Sequence, residues 1–570
     1  INLQLCFIIL DLSVIRNRLL NVVGYFFEMY KIISSEHDST IVDTTLSINK
    51  EYKFNYLRKD EFDLVPFSNV GQTYNTLSHD FSSQKLMPLF GSRARHFNYM
   101  ELEDISYYEV PTPFTELMYK SAFEQGQILD AFFTTNTSKQ FNFSIAYKGL
   151  RSLGKYQHIL TSTGNFRFTT NFKTKNGRYF ARAHMVTQDL LNEENGGITD
   201  ADIENFESGN PEFIDRSVFD PAFEDAESIL RGKRFHLDHH YKLIQNKDSL
   251  SNSSLRIGNL VTFTDKYYQY DQNNANEEFF GEAFTNTIQE RTTLEDFYAE
   301  LNAVYENSTL GKIKAFVGYN NFNYGYDKLV QLNGSTITNR LKGDVISAGG
   351  GYSNTIGKFH LDGKFGINVS GDFTGNFLSG KLSYNQNEDF DVAAIVNINS
   401  RAPNYNYLLY QSDYLNYNWQ NDFENVQTKS LGFLFSAPKI ADIELDYTTI
   451  NNYTYFSNTS VDETTKTIRP FQTDQAINYF RVKLSREFNY GKFYLNNTIR
   501  YQTVLDGEGV LNVPDLVIRN TLYYANHFFK GNALFLQTGI TFSYFTKYNK
   551  NKRKKKQMAS FFFQIDFICH

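Results

Sequence analysis

Between Gly357 and Asn399 the side-chain chemistry changes with every residue, and few folds can use such a pattern. Phe359, Leu361, Gly363, Phe365, Ile367 and Val369 share one parity, while Lys358, His360, Asp362, Lys364 and Asn368 share the other. After a turn the rule resumes, with Leu378, Gly380, Leu382 and Tyr384 against Ser379, Lys381, Ser383 and Asn385. A third run sets Phe390, Val392, Ala394, Val396 and Ile398 against Asp391, Asn397 and Asn399. A period of two marks β-strands, because successive Cβ atoms leave a strand on opposite faces. One face is apolar and the other carries full charges, which is what a sheet needs between lipid and water.

The pattern recurs along most of the chain. Phe141, Phe143, Ile145 and Tyr147 alternate with Asn142, Ser144 and Lys148; Tyr179, Ala181, Ala183 and Met185 oppose Arg178, Arg182 and His184. Phe297, Ala299, Leu301 and Ala303 oppose Glu300 and Asn302, and Ile313, Ala315 and Val317 oppose Lys312 and Lys314. Short turns such as Lys175-Asn176-Gly177 and Asn489-Tyr490-Gly491 alternate with long polar loops near 191–231, 400–426 and 456–474. The expected fold is all-β: a transmembrane antiparallel up-and-down β-barrel of about 16–18 strands between Gln127 and Thr546, with an irregular N-terminal segment. Only 10 prolines interrupt 570 residues, and aromatics reach 16%, which suits long strands and membrane interfaces. The net charge of −7 gives no basis for binding nucleic acid. Cys6 and Cys569 stand at opposite ends and make no disulfide framework.

The text divides into four parts. Residues 1–42 form an atypical start: Leu5-Cys6-Phe7-Ile8-Ile9-Leu10 resembles a signal-peptide core but lacks a basic approach, so a degraded or missing signal region is expected. Residues 43–126 are acidic and proline-punctuated, which predicts irregular structure at the barrel mouth or in its lumen. Residues 127–547 are the barrel. Residues 548–570 open with the lysine-rich Lys550-Asn551-Lys552-Arg553-Lys554-Lys555-Lys556, and truncation or a frameshift is expected there, although Phe561, Phe563, Ile565 and Phe567 still alternate.

Several phrases carry a family likeness. Phe97-Asn98-Tyr99-Met100-Glu101, Pro111-Thr112-Pro113-Phe114-Thr115-Glu116-Leu117 and Phe123-Glu124-Gln125-Gly126-Gln127 lead into Phe141-Asn142-Phe143-Ser144-Ile145-Ala146-Tyr147. Together they resemble the putative porin family of Bacteroidota outer membranes, over approximately Asp43 to Asn549. The resemblance implies an outer-membrane barrel with a pore role, in contact with outer-membrane lipid and inserted by the barrel assembly machinery.

On this reading Arg182, Glu300, Lys312, Lys314, Lys358, Asp362, Lys364, Lys381 and Asp391 line the lumen and set selectivity through their fields. His236, Asp238 and His240 share a parity and could hold zinc, but a polar lumen row is the favoured reading, so no metal site is assigned. The acidic run from Asp200 to Glu227 lacks calcium-loop spacing and reads as a solvated loop. The aromatic stretch Tyr405–Trp419 reads as an ordered loop packed on its own rings or on the interface girdle, rather than as a sugar platform or constriction. No nucleophile elbow, phosphate loop or catalytic cysteine is present in the sequence, so no enzymatic role and no cofactor are expected. The expected function is passive diffusion of small hydrophilic solutes across the cell outer membrane. The alternatives are a non-conducting barrel acting as a surface scaffold or assembly/adhesion partner, and a soluble multi-sheet β protein. The oligomeric state is left open.

Overall fold

Alternation becomes wall. Phe359–Gly371, Gly375–Asn387 and Phe390–Arg401 are three successive strands, paired antiparallel with Phe365 opposite Leu378 and Leu382 opposite Ala394. Their apolar residues point away from the barrel interior: Phe365 is 53% exposed, and Val317 on Gly311–Gly325 is 56% exposed. On the opposite face Asn142, Ser144, His184, Arg234, Glu300 and Asn320 are buried. A sheet with a greasy outside and a polar inside is stable only with lipid around it, so the soluble multi-sheet alternative does not describe this chain.

The computed structural model describes residues 27–43, 45, 47–91, 97–122, 126–245, 253–332, 334–387, 390–459, 467–507, 509–548 and 562–569. Sequential strands neighbour one another all the way round, from Phe114–Ala122 to Phe562–Cys569, and the last lies beside the first to close the barrel. Eighteen of these strands lie between Gly126 and Phe545, at the top of the expected range. One more stands at each end.

Both additions correct the boundaries drawn from sequence. The barrel begins at Phe114 rather than Gln127, because Phe114–Ala122 pairs with Gly126–Ser138 along its whole length. Pro111 and Pro113, with apolar Met118 on the inward parity, had disguised the alternation in which Leu117 and Tyr119 face out. At the other end Phe562–Cys569 pairs with Leu534–Phe545, Ile565 opposite Ile540. The signal-like run and the lysine-rich tract lie outside the described residues.

The connections sort by rim. One rim carries tight turns, such as 174–178 between Thr161–Lys173 and Tyr179–Glu194, where Gly177 adopts φ +64. A left-handed residue there costs glycine nothing, and its position agrees with the Asn-Gly signal. The other rim carries the long loops, including 195–225, 402–425 and 452–476. The acidic loop among them holds short helical turns packed around buried Phe219, with Asp215 accepting from the Ser217 backbone N–H.

Before Phe114 regular structure is sparse. Lys31–Ile33, Ser39–Ile41 and Tyr107–Glu109 form a three-stranded sheet, and Leu64–Pro66 pairs with Tyr74–Thr76. This segment lies inside the barrel. Its backbone polar groups are met by these short sheets, by its own turns and by side chains of the wall.

Candidate functional site: the lumen and its cavity

The N-terminal segment is fastened to strands on every side of the lumen. Asn69 Nδ2 donates to the carbonyls of Ser152 and Ile159, and Tyr56 Oη donates to Thr163 Oγ1. Lys148 Nζ donates to Asn98 Oδ1 at 2.6 Å, and Gln188 exchanges two hydrogen bonds with the Met100 backbone. Farther round, Asn368 and Asn399 donate to the carbonyls of Leu86 and Lys85. Gln502 Nε2 donates to the Leu77 carbonyl at 2.6 Å.

The ion pairs have a direction. Asp60 meets Arg519, Asp63 meets Arg500, Asp80 meets Arg481, Glu101 meets Lys266 and Arg234, and Glu109 meets Lys173. In each the segment supplies the acid and the wall supplies the base. His37 with Asp238, and Arg58 with Glu116 and Asp130, run the other way. Burial works to raise the Asp60 carboxyl, but the hydrogen bond and charge of Arg519 outweigh it and hold Asp60 below the usual carboxylate value.

The segment fills only part of the lumen. A cavity of about 1860 Å³ remains between it and the wall from Arg234 round to Thr428. Lys312, Ser353 and Asp362 border it near the tight-turn rim, and Tyr407 and Phe456 border it among the long loops. On the segment side, among the described residues, Glu36, Asp38, Asp80, Glu101 and Glu103 face it with Lys85. On the wall side eight Lys and Arg residues face four carboxylates. An acidic insert thus lies against a basic wall.

Aromatic side chains roof the long-loop end. Tyr405 is buried and stacks on Tyr324 with ring centres 4.7 Å apart, and its backbone N–H donates to the Leu89 carbonyl at 2.9 Å. Tyr410 stacks on Trp419 at 4.7 Å, and Trp419 Nε1 donates to the Asn406 carbonyl. The loop does pack on its own rings, as expected. It also folds inward, onto Phe90 of the segment and onto Phe322, Tyr324 and Tyr326.

Glu300, Lys312, Lys314, Asp362, Lys364 and Lys381 border the cavity. Arg182 also points inward but lies under the segment, with Nη1 at 3.0 Å from His37 Nδ1 and its guanidinium over the Tyr107 ring. Lys358 and Asp391 depart from the lumen-lining expectation. Lys358 sits in the tight turn before Phe359 and Asp391 is the second residue of its strand; both are exposed and neither borders the cavity. Parity assigns a face but not a depth.

The histidine cluster is used in pairs. His236 Nδ1 lies 2.8 Å from Thr262 Oγ1, His184 stacks on His236, and Asp238 takes His37 at 2.9 Å. Among the described residues no group of three or more His, Cys, Asp or Glu is placed to hold a metal ion. Sequence reasoning missed the inward-facing apolar residues near the long loops, including Leu190, Leu230, Leu294, Phe322, Tyr324 and Val345, all buried in one cluster. Their signal is a broken rule: Phe322 and Tyr324 stand on the parity that Lys312 and Lys314 make polar.

A sequence profile for a family described as putative porin matches residues 27–553. No curated protein matches the chain. Among solved structures, the siderophore receptor PirA from Acinetobacter baumannii is similar with TM-score 0.51 at 10% identity, over 80% of this chain and 72% of that one. The apoprotein form of the FrpB iron transporter from Neisseria meningitidis (F5-1 variant) gives TM-score 0.53 at 10% identity, over the same shares of the two chains. At that identity the likeness is one of fold.

Proposed function

Because the chain belongs to the putative porin family, we propose that this transport-type barrel is a passive channel of the cell outer membrane for small hydrophilic solutes. The observation that carries the reading is the cavity of about 1860 Å³, which is lined by charged side chains and bordered by residues near both rims. The solute route runs beside the N-terminal segment, not through an empty lumen. Charged groups along it keep water and polar solutes in place of lipid, and their balance sets which ions pass. Lipid covers the outward apolar face, and the barrel assembly machinery inserts the chain.

A second reading draws on the aromatic roof and the anchored segment: a non-conducting barrel that serves as a surface scaffold or an assembly/adhesion partner. Planar-bilayer recording of the full chain separates the two. Discrete conductance steps are the expected result. Silence from a correctly inserted barrel would give the second reading preference.

A further inference from the structure

Four lysines occupy one patch of the cavity wall. Lys312 and Lys314 lie on Gly311–Gly325, Lys364 on Phe359–Gly371 and Lys381 on Gly375–Asn387, all bordering the cavity. Strand register sets them in two rows, Lys312–Ser353–Asp362–Lys381 and Lys314–Gly351–Lys364–Ser379. With strands about 4.8 Å apart, Lys314 and Lys364 are about 10 Å from one another at Cα, within reach of one small solute. Gly351 stands between them without a side chain, and a Cβ built there would meet nothing nearer than 3.4 Å. No side chain rises from the strand between the two residues at that position.

Of the four, among the described residues, only Lys364 has no wall carboxylate paired with it or opposite it: its cross-strand neighbours are Gly351 and Ser379. Glu300 pairs with Lys314 at 2.8 Å, and Asp362 is the cross-strand neighbour of Lys381. Glu306 is the cross-strand neighbour of Lys312, so three wall carboxylates answer four lysines. A fourth comes from the N-terminal segment: Lys364 Nζ donates to Glu36 Oε2. Glu36 sits at the tip of the turn 34–38, which is closed by Ser34 N–H to the Asp38 carbonyl at 2.9 Å. Its side chain is 59% exposed, so the contact faces water and can exchange. Glu36 shows which chemistry the patch accepts.

We propose that Lys312, Lys314, Lys364 and Lys381 form a subsite for an anionic group of the permeating solute, a carboxylate or a phosphate, and that Glu36 is an internal carboxylate the solute displaces. The proposal rests on the channel reading for its biological sense, but not for its test. Charge-assisted hydrogen bonds from two lysines to one anion are stronger than neutral ones. They carry most weight here, where the low-dielectric wall limits screening.

The test is equilibrium binding to the detergent-solubilised full chain, followed by calorimetry, with succinate and inorganic phosphate in separate arms. Glu36→Gln is expected to tighten binding of whichever anion binds by about tenfold, the scale of one charge-assisted hydrogen bond. Lys314→Gln combined with Lys364→Gln is expected to abolish it, while far-ultraviolet circular dichroism reports an intact barrel. The tighter arm identifies the group. Absence of binding of both anions to the Glu36→Gln protein overturns the proposal, as does unchanged affinity in the lysine variant. Because binding needs no conduction, bilayer silence would remove the channel reading and leave the subsite standing; the reverse holds equally.

Discussion

Asp60 and Arg519 lie 459 positions apart and meet as a two-point ion pair inside the barrel. Arg519 Nη1 donates to Asp60 Oδ1 at 2.6 Å and Nη2 donates to Oδ2 at 2.9 Å. The Tyr52 ring lies 3.7 Å from the guanidinium carbon, which adds a cation–π contact. A fork-to-fork pair of this kind fixes orientation as well as distance. It ties the first described part of the chain to one of its last strands.

Removing that charge should loosen the segment and spare the wall. Asp60→Asn is expected to weaken the segment's seat by about 1–2 kcal/mol, the scale of a partly exposed bidentate pair. Amide exchange across residues 47–78 should speed up while exchange in Gly311–Gly325 stays as it was. Equal acceleration in both would show that segment and barrel open as one unit.

The same pair predicts an acid limit. A carboxyl held below its ordinary value in the folded state contributes stability that is complete above the unfolded pKa of about 3.9. That contribution is lost as pH falls through the lower folded value. The near-ultraviolet dichroism of Tyr52, Tyr56 and Tyr74 should therefore hold from neutrality to about pH 4 and decline below it. Asp60→Asn should remove part of that decline. A fall already complete at pH 5 would assign the acid sensitivity to other groups.

The outward face has its own signature. Phe365→Arg, Val396→Arg or Val317→Arg should cost about 2–4 kcal/mol if the residue lies near the bilayer midplane. Lys364→Gln, facing water, should cost far less. Urea titration of folding into lipid vesicles measures both, and similar losses for the two classes would mean that the faces are misassigned.

The aromatic roof is expected to limit passage. Tyr405→Ala deletes a fully buried ring from the stack with Tyr324, a loss on the order of 3–5 kcal/mol for large aromatic truncations. The loop 402–421 should then open, and vesicles carrying the variant should swell faster in small sugars than those carrying the parent. Unchanged swelling would place the narrowest point elsewhere, beside Phe90 or the turn 34–38.

The wall was legible because membrane strands obey a rule that needs only two neighbours to check. Phe365 and Lys364 differ in face by one position in sequence, and lipid outside against water inside enforces the difference. The strand Phe114–Ala122 was harder to see, since Met118 breaks the polar inward row and packs on Tyr56, Leu57 and Tyr74 of the segment. Those partners are far away in sequence. Leu230 and Tyr324 were hidden for the same reason: an inward apolar residue makes sense only once something apolar is known to lie inside.

By itself the sequence determined that this chain is a barrel wall, and for most strands which side chains meet lipid and which meet water. Periodicity is local, so one strand carries its own evidence. Only the tertiary structure decided what the lumen contains: an acidic segment seated on a basic wall, an aromatic loop turned inward, and a cavity left between them. Those arrangements rest on pairs such as Asp60 with Arg519 and Glu36 with Lys364, each separated by hundreds of residues. No local pattern records which acid will face which base, because that choice is made by the closed barrel bringing distant strands around one space.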